Sequence, residues 1–483
     1  MRSSKMDMPI VLSKRHRRLR SMKDCEPGLP YNEIVENGKR IDLCYSKQYK
    51  KYTKKIEIRV GTSILHNKLL RIFPNIVKIY SKHFINLPDL ITENTEKREL
   101  IFIELENLII GGGTSGLGVL SEISKEEKTL LISSNIESNT DIPYPLPQIN
   151  KDEFSKLLRD TINENKDRIL EGILLGKFDE GIGFLTKDKI LMVRAKRVFL
   201  ATGGRYIPPI FDGNDIPGII SKNLYLRYGN RITKAIALGN SDDIIKVLFK
   251  VEKRVIINNG VLFLSKYYKE LIDELGVEII NTNNLKVKRE KGGMLKIITN
   301  ERSFDSNILV YAIVKQPKID HSYNIGIPYN FSEYFHIYMP IHSIEGKTND
   351  NIYIVGGMRG ISDEYTSFLS GKTAVNEKYL DEFINNLKDY TYIYDYYYQK
   401  NPKENPSPYI YGNKGYVCEC EDITLSEVNR QVGRGFSKVE EIKRTIGLGT
   451  GECQGKLCTY SLGSFLGDRQ LITFRTPLYR MVI

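Results

Sequence analysis

The chain reads as an α/β protein of Rossmann-like dinucleotide-binding units, with a small α+β unit before them and a helical, cysteine-bearing module after them. Three observations point there. A Gly-x-Gly-x-x-Gly turn (Gly111, Gly113, Gly116) lies between an apolar strand and a helix. Strand-like and helix-like stretches alternate from there to about residue 380. Four of the six cysteines fall between positions 418 and 458.

Length and composition set the frame. At 483 residues, two to four domains are expected, with chain enough for a real core. With six cysteines in so long a chain, a disulfide scaffold is excluded and a reducing cytoplasm is the default. No apolar run reaches the roughly 18 residues of a membrane span, and the N-terminus has charge without an apolar signal core. A soluble, cytoplasmic protein is expected, with peripheral membrane association left open. The net charge of +12 is uneven: residues 1–60 hold sixteen Lys/Arg against seven Asp/Glu, densest at "KRHRRLR" (Lys14 to Arg20). No nucleic-acid motif accompanies this run, so it reads as a solvated arm or a docking segment for an acidic partner.

Residues 1–105 read as the small basic α+β unit, with a strand at "KKIEIRVG" and a helix at "TSILHNKLLRIF". A first nucleotide-binding unit is expected from residues 106–232 and 307–400, interrupted by a second over residues 233–306. "DYTYIYDYYYQKNPKENPSPYIYGNKG" lacks clean periodicity and reads as a surface linker. Residues 401–483 complete the chain with linker and C-terminal module, whose helices open at two capping boxes, Thr424…Glu427 and Ser437…Glu440.

In the first unit, Gly111 permits the tight turn, Gly113 lets a pyrophosphate approach the helix N-terminus beside Thr114 and Ser115, and Gly116 lets helix and strand pack. The acid that ordinarily closes the second strand is missing; Ser133 stands there, with Glu137 as a substitute. An adenine nucleotide is expected. In the second unit, "LGNSDDII" keeps Gly239, but Ser241 and Ile244 replace the other two glycines. Asp242 and Asp243 stand where a pyrophosphate would lie, and their charge opposes an anion. This second site is expected to be inactive.

Cys418-x-Cys420 and Cys453-x4-Cys458 flank two short helices. A disulfide between Cys418 and Cys420 would be badly strained. Two close pairs brought together by a helical hairpin suit four thiolates on a metal centre, and Gly449, Gly451 and Gly455 free backbone N–H groups to face sulfur. Spacing alone leaves a [2Fe–2S] cluster, zinc and two disulfides open.

"GGGTSG", "ATGGRYIPPIFDGNDIPG", "VCECEDIT", "IKRTIGLGTGECQGKLC" and "FRTPLYRMVI" together resemble the α subunits of heteromeric amine dehydrogenases and oxidases: sarcosine oxidase, dye-linked L-proline dehydrogenase, opine oxidase and hydrogen cyanide synthase. The resemblance spans roughly residues 106–483. It implies a two-dinucleotide-domain flavoprotein fold, an N-terminal ferredoxin-like β-grasp domain, and a C-terminal module like bacterioferritin-associated ferredoxin. It puts a [2Fe–2S] cluster on Cys418, Cys420, Cys453 and Cys458, and FAD or another adenine nucleotide against Ala201-Thr202-Gly203 as well as the glycine turn. The Gly-Asp that ends a late strand in such flavoproteins reads Gly356-Gly357 here, so a ribityl contact is lost. An FMN at the interface with a partner is also implied. The partner would be a β subunit of D-amino-acid-oxidase-like flavoprotein type, with further small subunits, and the amine would be oxidised there.

No catalytic residue is therefore expected on this chain, whose role would be to pass electrons from a partner flavin through the cluster. The histidines are scattered, and His321, His336 and His342 read as surface or packing residues. Cys25 and Cys44 read as ordinary small buried residues. No cysteine lies between Cys44 and Cys418, which is read as ruling out a flavin-linked redox disulfide. Alternative roles are a self-contained FAD-dependent ferredoxin-type reductase and a non-catalytic scaffold that binds nucleotide and metal.

Overall fold

The computed structural model describes residues 10–12, 19–26, 29, 33–36, 39–42, 98–136, 140–229, 232–290, 293–348, 351–398, 403–451 and 453–479. The stretches read as the β-grasp strand and helix, and Glu137, lie outside them.

A seven-stranded sheet forms around Glu99–Ile110, a strand that starts earlier than the expected boundary at 105. Its last residues, Leu108, Ile109 and Ile110, are almost wholly buried, as a parallel strand covered on both faces requires. Thr129–Ser133 runs parallel to it on one side and Lys189–Leu200 on the other. The latter strand changes neighbour along its length: Ile190 to Val193 pair antiparallel with Ile182–Leu185, and Val198 to Leu200 pair parallel with Ile352–Ile354. Late chain thus returns to the first sheet beside the glycine turn.

The second sheet is five-stranded and parallel, in the order Ile219–Ser221, Ile308–Ala312, Ala235–Gly239, Val255–Asn258, Glu278–Asn281. It takes in strands on both sides of residues 233–306, so the expected unit is too narrow. The reason is packing: Ile308–Ala312 is buried along its whole length and needs a neighbour on each edge. A three-stranded antiparallel meander spans Lys286–Arg289, Leu295–Ile298 and Ser303–Ser306.

The tyrosine-rich stretch is not a surface linker. It ends the helix Leu380–Tyr390 and forms the helix Tyr394–Tyr398 and the strand Ile410–Tyr411, which pairs with Ile210–Phe211. Tyr392, Tyr409 and Tyr411 are buried. Aromatic rings pack without apolar periodicity, so the pattern concealed a core segment.

In the C-terminal module a hairpin of Tyr416–Cys418 and Ile423–Thr424 precedes the helices Leu425–Val432, Val439–Ile446 and Cys458–Leu466. The capping box Thr424…Glu427 is formed. The second shifts by one residue: Glu441, not Glu440, accepts from the backbone N–H of Ser437 and Lys438, while Glu440 pairs with Lys443 and Arg444.

Candidate functional site

A cavity of about 680 Å³ opens above the glycine turn. Gly111 has φ of +112°, and a Cβ there would stand 2.4 Å from the carbonyl oxygen of Ala201. At Gly116 a Cβ would lie 2.0 Å from the oxygen of Gly111, so this glycine serves helix–strand packing and does not line the cavity. Gly113 has open space where a Cβ would point, as close approach of a ligand to the backbone requires. Thr114, Ser115, Ser133, Ala201, Thr202 and Gly203 complete this wall. Ser133 is engaged locally: its hydroxyl donates to Asn135 O at 3.0 Å.

Gly357 lines the cavity, whereas Gly356 is buried behind it with its N–H donating to Ser370 Oγ. A side chain at 357 would be crowded. A Cβ there would stand 3.0 Å from Gly204 N, 3.1 Å from Gly203 Cα and 3.2 Å from Lys315 Cε.

The far wall was not foreseen. Lys222 bonds Asp243 at 2.6 Å, and Lys246 approaches both Asp243 (3.4 Å) and Glu364 (3.1 Å). Tyr144 donates to Glu364, and burial raises its hydroxyl well above the ordinary value. Lys318 pairs with Glu26 at 3.4 Å, beside His321. The signal was faint: isolated lysines after short strands carry no pattern of their own.

Arg205, directly after the Gly203-Gly204 pair, spends all five of its N–H groups. It holds Glu26 through Nε (3.1 Å) and Nη2 (2.6 Å), holds Asp320 through Nη1 (2.7 Å) and Nη2 (3.1 Å), and donates from Nη1 to Lys456 O at 3.0 Å. Burial alone would raise both carboxyls, but the guanidinium holds Glu26 and Asp320 below the ordinary range.

Lys456 sits in the loop between Cys453 and Cys458. All four C-terminal cysteines are free thiols, three of them buried, so the disulfide option falls away. Their side chains interact as one group: Cys418 with Cys420 and Cys458, and Cys453 with the same two. Bonds from Cys420 and Cys458 hold Cys418 and Cys453 well below the ordinary thiol value, while the two donors are raised. The N–H groups of Gly449 and Gly455 bond Cys418 and Cys453 respectively. Gly451 acts differently: it makes room, since a Cβ there would lie 2.3 Å from Cys420 Cβ. Among the described residues no group of three or more His, Cys, Asp or Glu meets the spacing for a metal ion. The case for the thiol group therefore rests on its mutual contacts and on sequence similarity.

Two readings of single residues need correction. Cys25 is not an ordinary reduced thiol: it is disulfide-bonded, and it lines the cavity. The gap between Cys44 and Cys418 therefore did not exclude a disulfide from this pocket. Asp242 and Asp243 do not face an open phosphate site. Both are fully buried; Asp242 accepts from the N–H groups of Ser265 (2.8 Å) and Tyr392 (2.9 Å). Burial pushes Asp242 up to about 8 despite those bonds. The histidines do pack: His321 Nε2 meets Tyr479 OH at 2.6 Å, His342 Nε2 meets Tyr397 OH at 2.7 Å, and His336 Nδ1 meets Ser464 Oγ at 3.0 Å. All three are largely buried, against a surface reading.

Comparison with known proteins agrees with this anatomy. Residues 416–466 match the BFD-like [2Fe-2S] binding domain family, which spans the thiol group. The A component of opine oxidase from Rhizobium meliloti (strain 1021) is 23% identical over 354 residues, covering 59% of this chain and 74% of that protein. The crystal structure of L-proline dehydrogenase from P. horikoshii superposes with a TM-score of 0.57 at 21% identity, covering 81% of each chain, and shows a shared fold. The resemblance read from the motifs is borne out. The C-terminal module is a [2Fe-2S]-type module, and no helix among the described residues is long and apolar enough to cross a membrane.

Proposed function

We propose that this chain is the electron-transfer α subunit of a heteromeric, flavin-dependent amine or amino-acid dehydrogenase or oxidase. The observation that carries the reading is Arg205, one side chain that ties the wall of the nucleotide cavity to the loop of the thiol group. Similarity to the opine oxidase component supports a heteromeric oxidoreductase. In this reading the partner is a D-amino-acid-oxidase-like flavoprotein that oxidises the CH–NH bond.

The residues fit both cofactors. The helix N-terminus at Gly113 to Ser115 offers backbone N–H groups and open space to a pyrophosphate, and the wall of Ala201, Thr202 and Gly203 runs alongside. FAD or another adenine nucleotide would lie there. Cys418, Cys420, Cys453 and Cys458 would hold the cluster, which when bound supplies one-electron transfer. Gly449 and Gly455 then donate to two of the ligand sulfurs and favour their negative charge. Glu26, Arg205 and Asp320 keep the space between the two sites rigid and filled, because every guanidinium donor has its acceptor.

The test is isolation of the native complex, with dye reduction assayed against proline, sarcosine and opine substrates. A stoichiometric flavoprotein partner and reduction of the cluster by substrate are expected. A chain that purifies alone, and whose cluster no amine reduces, overturns the reading.

A further inference from the structure

Lys222, Lys315 and Glu364 line the cavity, and with Lys246 and Asp243, buried behind them, they form an uneven set of charges. Lys222, Lys246 and Lys315 face Asp243 and Glu364, which is three cations against two anions and leaves +1. Asp242 and Asp363 add little, because burial raises both carboxyls toward the neutral form. Lys222 and Lys246 have their carboxylates, and Lys318 has Glu26. The Lys315 ammonium has no ion pair or hydrogen bond with any described residue, although its backbone N–H donates to Tyr392 OH. Its stem lies over Gly204 and Gly357, with Cγ 2.9 Å and Cε 3.2 Å from where their Cβ atoms would be, and the residue lines the cavity. Burial pushes the ammonium below the ordinary lysine value.

We propose that Lys315 is the anion contact of the nucleotide pocket: it takes an anionic oxygen of the bound cofactor at the corner where Gly357 stands in place of an acid. The inference rests on nucleotide binding as proposed above. Lys315 is half-buried on the cavity wall, so its ammonium is partly desolvated without a counter-ion, and a ligand that brings the opposite charge offsets that cost on binding. The corner is therefore reversed in polarity. A carboxylate at 357 would accept from sugar hydroxyls, whereas Lys315 donates and favours negative charge. Two sources of that charge fit: a phosphate oxygen of the nucleotide, or the isoalloxazine once it is reduced and anionic.

The experiment uses the full-length chain and its variants K315M and K315R, with FAD and ADP as probes. Removing an unmatched charge should leave the apoprotein of K315M as stable as wild type or more so, which separates a binding role from a structural one. Loss of FAD and ADP affinity together, by roughly tenfold to a hundredfold, with K315R restoring it, assigns the contact to phosphate. Unchanged ADP affinity with weakened FAD binding or a lowered flavin midpoint potential assigns it to the isoalloxazine. Equal FAD and ADP affinity and equal potential in K315M and wild type overturn the inference while nucleotide binding stands. A K315M apoprotein that melts many degrees lower also overturns it. Wild-type chain that binds neither probe overturns the nucleotide reading itself.

Discussion

Arg205 Nη1 and the carbonyl oxygen of Lys456 are 3.0 Å apart, and this bond joins the short strand pair Gly204–Tyr206 and Lys315–Pro317 to the loop between two cysteines of the thiol group. The same guanidinium sits between Glu26 and Asp320, so three distant parts of the chain meet on a single cation. Lys456 reinforces the junction, with its ammonium donating to Cys453 O at 3.2 Å and lying over the ring of Tyr479.

Arg205→Met should be strongly destabilising, because it leaves two buried carboxylates without their cation. A loss of about 3–5 kcal/mol is expected, read from denaturant unfolding of the full chain. Arg205→Lys keeps the charge but cannot reach five acceptors, and should recover only part of the loss. A Met variant as stable as wild type would show that Lys318 alone suffices for Glu26.

Anaerobic reconstitution should give about two iron and two sulfide per chain, with visible absorbance that Cys420→Ser or Cys453→Ser abolishes. Both cysteines belong to the group of four free thiols, and no fifth free cysteine is found among the described residues. Stoichiometric zinc without iron would make the module structural.

Two glycines of one motif should fail in different ways. Gly113 has nothing within 4 Å of its Cβ position, and its φ of −78° suits any residue. Gly113→Val should change stability by about 1 kcal/mol or less yet lower nucleotide affinity at least about tenfold. Gly116→Ala puts a methyl 2.0 Å from Gly111 O and should cost roughly 2–3 kcal/mol. Calorimetry with FAD beside thermal melts separates the two; equal behaviour of the two variants would contradict the geometry.

What could be read from the sequence was local. The turn at Gly111 to Gly116 and the pairs at Cys418/Cys420 and Cys453/Cys458 announce themselves because each function needs its residues within a few positions. The cation network could not be read, because Arg205 meets partners 179, 115 and 251 positions away. Nothing in the composition around Lys315 shows that its neighbours are taken. The tyrosine stretch misled for a different reason. Its rings are buried by docking on Asn240 and Phe263, partners in the second sheet unit, and not by a face of its own helix.

Acid should weaken the fold through its buried histidines. Burial pushes His321 from its ordinary 6.5 down to about 3, and His336 and His342 are lowered for the same reason. The folded state therefore binds fewer protons than the unfolded state. The stabilisation is complete above about pH 6.5 and is lost as pH falls toward the folded value. His321→Gln should flatten the fall of unfolding free energy between pH 6 and 4.5 by about one proton, or about 1.4 kcal/mol per pH unit. Urea melts across that range measure it. An unchanged slope would mean that His321 charges in the fold, against Asp320 at 3.6 Å.

NADH and NADPH should not reduce this chain at a useful rate, although the reason differs from simple repulsion. The second glycine turn is closed by its own protein. Ile244 packs into the space at Gly239, where a Cβ would lie 2.7 Å from Ile244 Cβ. Tyr411 OH donates to Asn240 Oδ1 at 3.0 Å, and the Tyr392 N–H donates to Asp242 at 2.9 Å. Phe263 stacks near Tyr392, with ring centroids 6.3 Å apart. A pyrophosphate would have to displace buried aromatic rings as well as meet Asp243, whose carboxylate Lys222 and Lys246 hold ionised against the effect of burial. The stretch that looked like a linker is thus what covers the site. Electrons should then reach the cluster from a partner's flavin. Stopped-flow mixing of the reconstituted chain with excess NADH is the direct measurement, and no saturable bleaching is expected. Rapid, saturable bleaching would show that the tyrosine cover opens, and would favour a self-contained reductase over a relay subunit.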